Sequence, residues 1–199
     1  MNSYFSIDST TPYAYEKIRD YLYKELKPIL EKNRPVIFLC IGSDRSTGDS
    51  LGPLIGYKLR YLKRKNIHIY GSLSSPVHSK NLDNILDKIN ENFKDPYIVG
   101  IDACLGRFQN VGKIFIDKKP LQPGLAMNKN LPAVGNMSIT GIVNISGGFE
   151  FMVLQNTRLY TVMTLADSIS NGIYHFILKV TGTDSTKDYS EDIITFPNV

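Results

Sequence analysis

The chain has 199 residues, 42% of them apolar and 21% charged, with a formal net charge of +4. That length suits one globular domain with a sizeable core, and so mild a charge does not by itself imply nucleic acid. Two cysteines, no basic-then-apolar leader and no run of 18 apolar residues argue against a disulfide framework, secretion and a membrane span, so a cytoplasmic protein is expected.

Thr11-Pro12 starts the first predicted helix, with proline at its first position. Tyr15, Ile18, Leu22, Leu26 and Leu30 recur at spacings of three and four and form its apolar stripe. Pro28 is expected to kink it or weaken its last turn, and it ends near Asn33. The apolar run 35–42 reads as the first strand, followed by a turn-rich loop, 42–48, and a helix over about 49–65. Arg60 to Lys65 is the densest basic run, and at a helix end its cations meet the negative pole of the helix dipole. Residues 67–73 read as the second strand, 81–92 as a helix and 96–103 as the third strand.

The fourth strand, 111–117, follows the third through a short connection at Leu105-Gly106, which predicts an antiparallel hairpin and therefore a mixed sheet. Residues 119–136 form a long loop, of a length that is often functional. A fifth strand spans 137–144, and a helix bent near Asn156 runs from about 149 to 179. The tail from Thr181 is polar, with acids in its first half. The organisation is thus an N-terminal helical extension (1–33), an α/β domain (34–180) and a polar tail (181–199), one domain overall. Alternating strands and helices predict a three-layer α/β/α sandwich with a mixed, mostly parallel sheet, its first three strands ordered 2-1-3.

In that order Asp49 and Asp102, each just past an apolar run, open into one crevice at the carboxyl ends of the strands. Alone, Asp49 could cap its helix and Asp102 a turn. Together, two close carboxylates cannot both ionise cheaply, so they act as a unit that can activate water and protonate a leaving amine. The same pair could instead ligate a metal. Asp44, Arg45 and Ser46 in the loop before Asp49 are candidate substrate-binding residues; Asp44 and Arg45 could also simply pair with each other. The loop is not a phosphate cradle, because Asp49 stands where a lysine is needed and the spacing is one residue too long. Cys104 is a weaker nucleophile candidate with His78 as base, while His68 and His175 read as structural. No cofactor is expected.

Five segments carry a resemblance: Ile41–Pro53 (with Asp49-Ser-Leu-Gly-Pro53), Ile101-Asp-Ala-Cys-Leu-Gly106, Pro123–Lys129, Ser138–Asn144 and Leu154-Gln-Asn-Thr-Arg-Leu159. In this order they look like the sporulation protein family YyaC, over roughly residues 34–178. That family resembles, more distantly, the germination endopeptidase of bacterial spores and the endopeptidases that mature nickel hydrogenases. The resemblance implies a hydrogenase-maturation-protease-like (phosphorylase/hydrolase-like) sandwich, with Asp49 and Asp102 in the peptidase role and Asn128 and Lys129 on a substrate loop. It departs from those enzymes in having no histidine between Asp102 and His175, and Gln122 where the spore enzyme has one. The implied function is a sporulation-associated aspartic-type endopeptidase of the forespore or mother cell. Its partner is a protein or peptide substrate, with no nucleic acid or membrane. A homo-oligomer through Tyr13, Tyr15, Tyr21 and Tyr23 is possible, although packing within the chain accounts for these tyrosines as well. The alternatives are a non-catalytic binding or regulatory protein of the same fold, or a metal-dependent hydrolase with Asp49 and Asp102 as ligands.

Overall fold

A computed structural model describes residues 4–62, 64–123 and 133–182. Six strands, β1 (Tyr4–Asp8), β2 (Val36–Cys40), β3 (Ile67–Tyr70), β4 (Tyr97–Gly106), β5 (Lys113–Asp117) and β6 (Met137–Ile145), form one sheet ordered β1-β5-β6-β4-β2-β3. Pairings β2–β3, β2–β4 and β4–β6 are parallel; β5 is antiparallel to both β6 and β1, so β5 alone runs against the rest. The helices are α1 (Ala14–Glu31), α2 (Leu51–Leu59), α3 (Leu82–Asn92), α4 (Glu150–Gln155) and α5 (Leu159–Thr181).

Strand β2 is covered on both faces, and every residue of Val-Ile-Phe-Leu-Cys is buried, as a central parallel strand requires. Val36, Phe38 and Cys40 point into the larger core, built with α1, α2 and α5; Ile37 and Leu39 point into a smaller one with Leu82 and Ile89 of α3. These are the two helical layers of the predicted sandwich, and the first three predicted strands lie in the predicted order, as β3-β2-β4.

The expected β4–β5 hairpin does not form, because β6 lies between them. The physical reason is burial: β6 is buried along both faces over most of its length, Ser138 and Ile142 on one and Met137, Ile139 and Val143 on the other, whereas β5 alternates buried and half-buried residues. The strand buried on both faces takes the inner place and the alternating one the outer. β1 was not expected; only Ile7 of its five residues is buried, too little for a periodic signal. It joins the sheet beside β5, and α1 packs on α5 so closely that a Cβ at Gly172 would meet Ile18 Cγ2 at 2.5 Å. α1 continues through Pro28 to Glu31, α2 stops at Leu59 rather than near 65, and β4 runs three residues beyond its predicted end. The predicted bent helix is two helices, α4 and α5, broken at Asn156–Arg158. No helix among the described residues is long and apolar enough to cross a membrane. The polar tail beyond Gly182 lies outside the described residues.

Candidate active site

The polypeptide brings Asp49 and Asp102 together through a short ladder of main-chain bonds. Ile41, one residue past β2, donates its N–H to the carbonyl of Ile101, the residue before Asp102 (2.8 Å). Gly42 then turns with φ 138°, donating to Val77 O (2.8 Å), and Ser43 N–H donates to Asp49 O (3.0 Å). A side chain at Gly42 would collide with that Asp49 carbonyl, so glycine is required at this crossing. The 3-10 turn Gly48–Ser50 closes on itself through Asp49 N–H to Ser46 O and Ser50 Oγ–H to Thr47 O (2.7 Å), and it packs against β4. Asp49 is half-buried there.

Asp102 lies inside β4, opposite Thr140 of β6, and level with the point where β2 ends. It is 6% exposed, and its Oδ1 accepts the N–H of Ala103 at 2.8 Å. Burial first, and the negative charge of Asp49 second, push its carboxyl well above the usual carboxylate range. The acid therefore holds its proton at pH values where an ordinary aspartate has lost it, beside a second carboxylate.

Other expected residues fall differently. Asp44 and Arg45 are exposed on the loop, and no ion pair joins them among the described residues. Ser46 Oγ is buried without a hydrogen-bond partner among the described residues. Asn128 and Lys129 lie outside the described residues. Burial and then the charge of Asp102 push the Cys104 thiol up to about 12, so it is no nucleophile near neutral pH. His78 is engaged at the start of α3: its N–H donates to Asn81 Oδ1 (2.8 Å) and its Nδ1 accepts from Lys80 N–H (3.3 Å). No group of three or more His, Cys, Asp or Glu side chains able to hold a metal occurs among the described residues.

Two supports of the site carried no assigned role in the sequence. Gly48 rests on Leu154 and Thr157, where a Cβ would come within 2.8 Å of both side chains. Thr157 is buried, donates to Val153 O (2.8 Å), and its Oγ1 accepts the side-chain N–H of Asn144 (3.2 Å). The end of β6 and the α4–α5 break thus clamp the turn that carries Asp49. Their only trace in sequence is that Asn144 and Thr157 fall inside two of the five resembling segments.

This mixed α/β sandwich is shared with hydrogenase maturation proteases. The solved [NiFe] hydrogenase maturation protease HycI from Thermococcus kodakarensis KOD1 superposes with a TM-score of 0.51 over 77% of this chain and 98% of its own, at 16% identity, a likeness of fold. A family described as "Protein of unknown function (DUF1256)" matches residues 6–172. YyaC of Bacillus subtilis (strain 168), described as an uncharacterized protein, is 44% identical over 167 residues, covering 84% of this chain and 80% of its own. The chain belongs to this DUF1256 family, together with YyaC.

Proposed function

We propose that the chain is a sporulation-associated endopeptidase of the aspartic type, with Asp49 and Asp102 acting as a pair on small spore or sporulation proteins. The observation that carries this reading is a buried, proton-holding Asp102 whose second perturbing influence is the charge of Asp49. Such a pair divides acid from base. Asp49, the more exposed, takes a proton from the attacking water as the oxygen adds to the amide carbonyl carbon. Asp102 gives its proton to the carbonyl oxygen. Collapse of the adduct breaks the C–N bond and passes a proton to the leaving amine.

Two further features support a peptide substrate. The loop before the turn offers Asp44, Arg45 and Ser46, with Asn128 and Lys129 as the other proposed contacts. The helix whose Leu154 holds Gly48 also presents Phe151 and Met152 to solvent, with Phe149, Leu159 and Tyr160 beside it. Exposed apolar groups gathered in this way fit a docking role. The sporulation setting rests on the resembling segments.

The test is to incubate the chain with a peptide library and with protein from sporulating cells, and to map new termini by mass spectrometry. The native chain should generate defined products that D49N and D102N do not, with all three equally folded; the same products from both variants would refute the pair. Chelation should leave the rate unchanged, and stimulation by a divalent cation would favour the two-ligand metal hydrolase instead. The small exposure of Asp102 favours one other reading, a binding protein that retains the fold. Specific capture of a protein with no product from any form would select it.

A further inference from the structure

Strand β3 ends the parallel side of the sheet: among the described strands it pairs only with β2, and on its outer edge Ile67 donates its N–H to Arg64 O (3.3 Å), leaving the edge beyond it open among the described residues. An exposed strand edge offers main-chain donors and acceptors to any extended segment that reaches it. Along this edge runs a groove of about 870 Å³, lined by apolar Leu59, Leu62 and Ile69 and by basic Arg60, Arg64 and Lys65. A smaller cavity of about 360 Å³ adjoins it at Arg64 and Lys65, and Val180 and Thr181, from the last turn of α5, line that cavity too. Arg64 Nε donates to Thr181 Oγ1 at 3.3 Å. The chain therefore leaves α5 beside the groove.

Residues 183–199 carry Asp184, Asp188, Glu191 and Asp192 against a single lysine, Lys187, and then Ile193-Ile194-Thr195-Phe196. Acids followed by β-branched and aromatic residues are the chemical complement of a basic groove with an aliphatic floor. We propose that the groove along β3 is the docking site of the chain's own segment 183–199. Its acids face Arg60, Arg64 and Lys65, and its aliphatic and aromatic side chains cover Leu59, Leu62 and Ile69. Reach is ample: 17 residues span up to about 56 Å when extended, against about 13 Å for a four-residue strand. A tether starting at the groove also gives the segment an effective concentration that a separate peptide lacks.

Amide hydrogen exchange on the full chain tests this, comparing the native protein with D184N/D188N/E191Q/D192N and with R60Q/K65Q. Amides of residues 67–70 should exchange several-fold more slowly in the native chain than in either variant, and 0.5 M NaCl should remove most of the difference. Amides of β2 and β4 should exchange alike in all three, which checks that each is folded. Equal exchange at 67–70 in all three would overturn the proposal. Protection that rises with protein concentration would overturn it as well, assigning the groove to a second copy's segment.

Discussion

At Asp102 the carboxyl is withdrawn from water, and the charge that acts on it is the negative one of Asp49. The folded chain therefore holds this proton more tightly than the unfolded chain. The stabilising contribution is complete below the unfolded value of 3.8 and is lost as pH rises through the higher folded value. Thermal unfolding should show the Tm of the native protein falling as pH climbs above about 4, while D102N, with no proton to lose there, follows a flatter line. Near neutral pH the variant should be the more stable of the two. A difference between the two that does not vary with pH would contradict this picture. Both acids could be singled out in sequence because Asp49 follows the loop after one apolar run and Asp102 lies in another. Thr157 and Asn144 were not, because a bond across 13 residues, ending at the break between two helices, leaves no local signature.

Among the elements, α2 sets where Asp49 stands. Gly52 lies against the backbone of Ile41, and a Cβ there would meet the Ile41 carbonyl and come within 2.7 Å of its nitrogen. Gly52→Ala should therefore push α2 away from the end of β2 and cost about 1–3 kcal/mol, read as a lower denaturant midpoint, with any cleavage falling further than stability alone explains. Gly147→Ala, with nothing within 4 Å of the added carbon, is the control expected to change little. The same scale decides what sequence could foretell. Helices α1 and α3 and strands β2 and β4 were legible from apolar periodicity and continuous runs. The place of β6 was not, because loop length suggested a hairpin while burial of both faces decided the order.

For the molecule as a whole, the N-terminal segment is built into the core: Leu22 of α1 is fully buried in the cluster that holds Phe38 of β2 and Phe176 of α5. Leu22→Ala should cost about 2–5 kcal/mol, seen as a drop in Tm; a change within about 0.5 kcal/mol would mean that α1 packs only loosely. Tyr21 stacks on Phe5, and Tyr15 lies against His175, so these tyrosines serve packing within the chain, while Tyr13 is exposed. On the helix that packs against the Gly48 turn, F149S/F151S should leave Tm unchanged and raise KM several-fold if the exposed aromatic groups dock substrate. Equal KM would separate them from the site.

The pairing of the two acids is tested most directly by following the side-chain carboxyl carbon of Asp102 by NMR across pH, in the native protein and in D49N. Asp102 should titrate well above an ordinary aspartate in the native chain and move to lower pH, still elevated by burial, once the charge of Asp49 is gone. An unchanged titration in D49N would mean that the two carboxyls do not share a site.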